Sequence, residues 1–261
     1  YDKPMIYYPL TTLMIAGIVD ILVIVNERDL DSFKYLLGDG SQWGISIHFE
    51  IQHKPEGIAQ AFIIGESFIN SSPSALILGD NLFHGSNLRD LLRRKDIEES
   101  PATIFTYPVS NPQDYGVVNF DESSTPISIE EKPKEPKSSH AITGLYFYDE
   151  SIVERAKSIK KSSRHELEIT DINQKYLQQG LLNVERMGRG MTWLDTGNFD
   201  ALHEASSYIR TLENRQGLKV GCPEELAWRF GLISKEELIF LAKKQLKSGY
   251  GKYLLKVVES D

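Results

Sequence analysis

A run of six residues, Asp20-Ile-Leu-Val-Ile-Val25, constrains this chain more than any other segment. After the aspartate it is aliphatic throughout, with no alternation to supply a polar face. A strand of that kind is buried on both sides, as strands are inside a parallel sheet covered by helices. A helix is predicted before it over residues 4–18, with Pro4 near its first turn. Another is predicted after it over 29–37, stopped by Gly38 and Gly40. The rhythm continues with a strand at 45–51, a helix at 58–69, a second buried strand at 75–78, a helix at 87–94 and a strand at 103–107. Such alternation builds an α/β fold, a mixed and mainly parallel sheet flanked by helices.

Residues 111–148 change character. Short strands are expected at 117–120, 127–130 and 142–148, separated by Pro, Ser and Asp, as an antiparallel excursion near the edge or mouth of the sheet. Within it, Lys132 to Lys137 (KPKEPK) reads as an exposed loop. Helices are predicted at 199–216, 223–230, 234–247 and 250–258. The expected division is a core over 1–198, with an insertion at about 111–148, and a C-terminal helical region over 199–261.

The 261 residues carry 29 Lys and Arg against 37 Asp and Glu, a net charge of −8, which argues against nucleic acid as a partner. An anionic substrate therefore needs local cations. The single cysteine, Cys222, excludes an internal disulfide and a cysteine-based zinc site. The most apolar stretch, residues 4–25, is interrupted by Pro9, Gly17 and Asp20, so no membrane span is expected. The opening Tyr-Asp-Lys-Pro lacks the basic start and apolar core of a signal peptide, and a cytoplasmic location is expected. None of the 19 glycines forms a dinucleotide fingerprint or a P-loop.

Two acidic words stand where strand-like runs end, Leu-Gly-Asp-Asn at 78–81 and Trp-Leu-Asp-Thr-Gly at 193–197. Converging carboxylates at Asp80 and Asp195 suit a hard cation such as Mg²⁺, which also takes substrate phosphate oxygens; the plainer reading is that each caps a turn. In Gln52-His-Lys-Pro-Glu-Gly57-Ile-Ala59, the Gln52 amide suits a pyrimidine edge and Gly57 lets backbone approach a flat ring, or the word is an ordinary strand–turn–helix link. In Asp114-Tyr115-Gly116-Val-Val118, Gly116 offers backbone to a sugar hydroxyl, or the word is a turn with a core tyrosine. In Ile129-Glu-Glu131-Lys132-Pro133, a kink at Pro133 would bring Glu131 and Lys132 to one site, to serve sugar hydroxyls and a phosphate; the alternative is a surface charge cluster. Ser163-Arg164-His-Glu166 reads as a helix start, with Ser163 as N-cap and Glu166 completing a capping box. A helix start beside Arg164 also makes an anion site. The six histidines show no metal spacing, and no general base stands out.

Taken in order, LGDN at 78–81, DYGVV at 114–118, EEKP at 130–133, TGLYFYD at 143–149, ELEITDIN at 166–173, MGRGMTWLDTG at 187–197 and YGKYL at 250–254 resemble the bacterial glucose-1-phosphate thymidylyltransferases. The opening YDKPMIYYPL matches them too, and the similarity covers the whole chain. The resemblance implies a Rossmann-like nucleotidyltransferase fold, Mg²⁺, a homotetramer, and the joining of dTTP and α-D-glucose 1-phosphate into dTDP-glucose and pyrophosphate. That is the first step toward dTDP-rhamnose and the lipopolysaccharide O-antigen. By the same resemblance Asp80 and Asp195 hold the metal, with Asp80 also meeting substrate. Gln52 and Gly57 read thymine. Tyr115, Gly116, Glu131, Ile142 and Trp193 line the sugar pocket within the 111–148 insertion and beside it. Lys132 and Arg164 meet the sugar phosphate as the catalytic cations. Gly85, Arg189, Glu225 and Arg229 would form a second nucleotide site for feedback by dTDP-rhamnose. The family's usual glycine after this arginine is His165 here.

The absence of a base fits this chemistry, because the nucleophile is a phosphate oxygen already mostly dianionic at neutral pH, its second pKa being about 6. The family also carries a strand and a glycine-rich word, GGxGTRL, followed by KQLLP, just ahead of the residue matching Tyr1. Residues 1–261 alone are therefore expected to be a poor catalyst, with ladder groups of a central strand left unpaired. The other expectations are a nucleotidylyltransferase for another base or sugar phosphate, and a truncated, inactive regulatory paralogue.

Overall fold

The computed structural model describes residues 1–94, 97 and 99–260, with the side chain of residue 260 excluded. Helix α1 (Tyr7–Ala16) ends on Gly17 in the left-handed conformation and leads into β1 (Asp20–Val25). After α2 (Leu30–Leu37), β2 (Ser46–Ile51) pairs with β1 in parallel, from Asp20↔Ser46 to Val25↔Ile51. The predicted helix over 58–69 is two short ones, α3 (Gln60–Ile64) and α4 (Glu66–Ile69), divided at Gly65.

Strand β3 (Ser74–Ile77) is followed by a tight turn holding Asp80, then β4 (Asn81–His84) and α5 (Leu88–Leu92). The main sheet is built from β5 (Ala102–Pro108), β6 (Gly116–Phe120), β7 (Pro126–Glu131), β8 (His140–Tyr148) and β9 (Leu182–Arg186), in the order β7-β6-β8-β5-β9, with β3 also on β8. Parallel pairing joins β1 to β2 and β5 to β9; the remaining named pairs are antiparallel. Strands β6 and β7 form the expected excursion at the edge. Strand β8 differs: it lies in the interior, paired with β3, β5 and β6, because almost every one of its residues is apolar or buried on one face or the other.

Alternate residues of the sheet feed two cores. Ile104, Tyr146 and Tyr148 pack with α3, with α6 (Ile152–Ser158) and with α7 (Ile169–Gln178). Phe105 and Leu145 face the other way, onto Leu88, Leu92, Met191 and Trp193. Strand β10 (Thr192–Asp195) leaves this second core to pair with β4. Helix α8 (Phe199–Gln216) starts on the Asn198 side chain, which accepts from the Ala201 N–H. Helices α9 (Pro223–Arg229), α10 (Lys235–Lys244) and α11 (Gly249–Ser260) share a third core with α1, β1 and β2, built on Leu10, Met14, Leu37, Trp43, Leu238 and Leu254. Among the described residues the second edge of β1 and that of β3 pair with no strand; residues of both line a cleft of about 890 Å³ with mixed polar and apolar walls.

Candidate active site

Antiparallel pairing of β4 with β10 brings the two acidic words together. Asp195 ends β10 opposite Asn81, and Asp80 immediately precedes it. The Asp80 carbonyl accepts from both the N–H and the hydroxyl of Thr196, at 2.9 and 2.8 Å. A Cβ at Gly197 would lie 3.0 Å from Asp195 Oδ1 and 3.4 Å from Asp80 Oδ2, so the two carboxylates approach one point. Burial pushes the Asp195 carboxyl up; the Gly197 N–H and the Lys132 ammonium pull it down, and the charge on Asp80 pushes it up further. Two convergent carboxylates with solvent access fit a cation that completes its shell with substrate phosphate and water, as Mg²⁺ does. Among the described residues no group of three or more His, Cys, Asp or Glu side chains could hold a metal, so water and substrate oxygens would supply the ligands beyond these two carboxylates.

Beside them lies a pocket of about 160 Å³ whose wall includes Tyr115, Gly116, Glu131, Lys132, Ile142, Arg164, Trp193 and Asp195. Gly116 opposes Glu131 across the β6–β7 ladder. A Cβ there would lie 3.2 Å from Thr170 Oγ1 and 3.3 Å from Glu131 Oε2, so the bare glycine keeps the pocket floor low. Tyr115 and Trp193 meet edge to face at 5.2 Å. Glu131 accepts from Arg164 Nη1 at 3.2 Å and, through its other oxygen, from the Thr170 hydroxyl. Glu131 and Lys132 do reach one site, but the bend sits at Lys132, whose φ is +43°, and not at Pro133. The Lys132 N–H bonds the Tyr115 carbonyl at 3.0 Å and pins that bend. Left-handed backbone in a non-glycine residue is strained and concentrates at functional positions.

The expected helix start at Ser163 is corrected. Residues 162–165 form a turn, closed by the His165 N–H on the Ser162 carbonyl at 2.9 Å, and the helix begins at Ile169. His165 stands at φ +64°, which interrupts any helix attempting to start at Ser163. The hydroxyl of Ser162, not Ser163, accepts from the Arg164 N–H, at 3.1 Å. Glu166 completes no capping box; its carboxylate accepts from Arg164 Nη2 at 2.5 Å. Arg164 also lies 3.7 Å from Glu168, giving it three carboxylate neighbours with Glu131.

Gln52 and Gly57 fall outside this pocket wall, though Ile58 belongs to it. Gln52 donates to Gln60 Oε1 at 2.7 Å. Gly57 has φ +106°, and a Cβ there would lie 2.4 Å from the Leu167 carbonyl oxygen; that side of the glycine is filled by backbone rather than left open for a ring. Of the four residues expected at a second nucleotide site, only Glu225 and Arg229 pair with each other. Gly85 packs beside the Arg189–Met191 bridge, where a Cβ would lie 2.3 Å from Met191 Sδ. Glu225 accepts from Arg229 Nε at 2.8 Å, as i,i+4 spacing allows, and from the Tyr253 hydroxyl. Sequence reasoning passed over Asn81, Gly144, Tyr146, Glu168 and Thr170, all on the pocket wall. The ELEITDIN word held the last two within a family match, but nothing local marked their roles.

Residues 1–211 match the nucleotidyl transferase family. The glucose-1-phosphate thymidylyltransferase of Mycolicibacterium smegmatis is 53% identical over 261 residues, spanning 100% of this chain and 90% of that protein. The enzyme of the same name from Neisseria meningitidis is 53% identical over 259 residues, spanning 99% and 90%. Among solved structures, a Bacillus anthracis protein provisionally assigned as a glucose-1-phosphate thymidylyltransferase, crystallised with sucrose, matches with a TM-score of 0.73 and 37% identity over 80% of this chain and 83% of that one. A UDP-glucose pyrophosphorylase in complex with UDP-glucose matches at a TM-score of 0.69 and 21% identity over 80% and 88%, a likeness of fold alone.

Proposed function

This chain belongs to the glucose-1-phosphate thymidylyltransferase family of nucleotidyl transferases, and we propose that it transfers the thymidylyl group of dTTP to α-D-glucose 1-phosphate, releasing pyrophosphate and dTDP-glucose. The observation that carries the reading is one pocket in which a sugar-sized wall of Tyr115, Gly116, Ile142 and Trp193 adjoins Lys132, Arg164 and Asp195, with Asp80 off the wall but approaching Asp195 beside Gly197. Glu131, held by Thr170, presents a carboxylate to sugar hydroxyls. Lys132 and Arg164 receive the sugar phosphate and hold its oxygen in line with the α-phosphorus of the nucleotide. The nucleophile arrives deprotonated, so positioning and charge neutralisation make up the catalysis. Asp80 and Asp195 would hold Mg²⁺, which supplies Lewis-acid stabilisation of the charge that develops on the phosphates.

Gln52 and Gly57 are assigned to the nucleotide base, on the resemblance and on the bond between the Leu167 N–H and the Glu56 carbonyl, which ties their loop to the segment carrying Arg164. The further inferences supported by the resemblance are a homotetramer, a cytoplasmic location, service to dTDP-rhamnose and O-antigen synthesis, and feedback by dTDP-rhamnose at Gly85, Arg189, Glu225 and Arg229. No described helix is long and apolar enough to cross a membrane. The deciding experiment measures pyrophosphate release from dTTP and UTP against a panel of sugar 1-phosphates. Preference for dTTP with glucose 1-phosphate is the expected result. Preference for another pair would reassign the substrates within the same chemistry, and no release with any pair would favour a binding subunit.

A further inference from the structure

Asn81 is 1% exposed, and its side-chain amide is engaged at both ends. Its Oδ1 accepts from Trp193 Nε1 at 2.6 Å and from the Gly144 backbone N–H at 3.0 Å. Its Nδ2 donates to Asp80 Oδ1 at 2.8 Å. The partners fix which way round the amide lies, since the indole and backbone N–H groups only donate and a carboxylate only accepts. Gly144 approaches this closely because it has no side chain: a Cβ there would lie 2.6 Å from Asn81 Oδ1. Aspartate at this position would keep the acceptor and lose the donor. Glutamine offers the same groups on a longer arm that does not fit the same enclosure.

The consequence is directional. Asn81 occupies one oxygen of Asp80, and the other, Oδ2, is the one that approaches the point shared with Asp195 beside Gly197. The same amide fixes the plane of Trp193, which forms part of the pocket wall. We propose that Asn81 is a positioning residue that joins the Asp80 carboxylate and the Trp193 wall into one frame, so that cation seat and sugar wall are set by a single side chain. The inference rests on the reading of Asp80 as a cation ligand given above.

The test uses the full chain and Mn²⁺ alone as the probe, with binding read by electron paramagnetic resonance before any substrate is added. Asn81→Ala is expected to weaken Mn²⁺ binding by about 10–100-fold, the usual effect of removing an outer-shell partner of a metal ligand, while the variant still melts cooperatively. Trp193→Phe keeps an aromatic side chain but removes the indole N–H that bonds Asn81, together with part of the ring's bulk. It is expected to weaken Mn²⁺ binding severalfold while the variant still melts cooperatively, an effect passed to the cation seat through Asn81. Asp80→Asn, run beside them, separates the two readings. If it leaves Mn²⁺ binding intact, the cation assignment itself fails. If it abolishes binding while Asn81→Ala and Trp193→Phe both bind Mn²⁺ within twofold of the parent, the positioning role is overturned and the cation site stands. Should Asn81→Ala fail to fold, Trp193→Phe decides.

Discussion

Asp80 and Asp195 approach the same vacant point, the place a Cβ would take on Gly197, 3.4 Å from one carboxylate and 3.0 Å from the other. Gly197 is not in the left-handed region, so the backbone tolerates alanine there. Gly197→Ala should therefore leave the melting temperature nearly unchanged while crowding the cation seat, with about a tenfold rise in the Mg²⁺ concentration needed for half-maximal turnover. Asp195→Asn should lower kcat by roughly 100-fold or more, a loss of a few kcal/mol of charge stabilisation. Titrating both variants with Mg²⁺ checks these outcomes, and undiminished Mg²⁺-dependent turnover in Asp195→Asn would remove the metal role.

Lys132 holds left-handed backbone at φ +43°, a conformation that glycine adopts without strain. Lys132→Gly thus removes the ammonium and keeps the bend. The variant is expected to match or exceed the parent's thermal stability, and to show a KM for glucose 1-phosphate raised well beyond any change in the KM for dTTP. Equal changes in both constants would show that Lys132 does not serve the sugar phosphate.

His165 stands at φ +64° and does not line the pocket. The left-handed region costs a residue with a side chain about 1–2 kcal/mol, part of which glycine gives back through its greater freedom in the unfolded chain. His165→Gly should stabilise the protein by about 1 kcal/mol, with turnover within twofold. Chemical denaturation at matched pH reads the gain, and a destabilised variant would mean that the imidazole makes a compensating contact.

The pH dependence of stability is set in part by two histidines. Burial lowers His84, and burial together with the Arg186 guanidinium lowers His140, both from an ordinary value of 6.5. The unfolded chain takes up these protons as the pH falls through 6.5, while the folded chain resists them. Stability is therefore highest above that value, declines as the pH falls below it, and levels off once the folded-state values are passed. His84→Gln and His140→Gln should each flatten the decline between pH 7 and 5, measured by denaturation at several pH values.

Glu213 is 5% exposed and receives Lys3 Nζ at 2.7 Å, Lys219 Nζ at 2.7 Å and the Val220 N–H at 3.0 Å. It clamps the first residues to α8. Glu213→Gln leaves two ammonium groups facing a neutral amide and should cost about 3 kcal/mol, or roughly 6–12 °C in Tm. A change under 1 °C would show that Asp2, which also pairs with both lysines, holds them alone.

What the sequence made legible was what short-range pattern encodes. The aliphatic run at 21–25 became a parallel strand, though only Ile21 and Val25 of it are buried and it pairs with β2 alone, and the helices predicted at 199–216 and 223–230 formed with little change of boundary. Two Ser-x-x-Glu words show the limit. Ser163 and Glu166 do not cap a helix, because His165 between them is left-handed; Ser234 and Glu237 do, with both reciprocal bonds present. The words look alike, and only backbone geometry separates them. Asn81 escaped notice for a different reason. Asp80 is adjacent to it in the chain, but its other partners, Gly144 and Trp193, lie 63 and 112 residues away, so the enclosure that fixes its amide is not visible in the local sequence. Strand β8 reads as a peripheral element from its flanks, yet its neighbours in space place it inside.

The backbone exchange between Glu56, Ala59 and Leu167 reaches beyond the packing of Gly57. It stitches the loop assigned to the nucleotide base directly to the loop that carries Arg164, so the two cannot be ordered independently. Whatever stiffens one stiffens the other, and thermodynamic linkage makes that debt mutual: a nucleotide that readies the arginine for the sugar phosphate must itself be held more tightly once the sugar phosphate has arrived. Cooperation between the two substrates is then carried by two backbone hydrogen bonds among three residues.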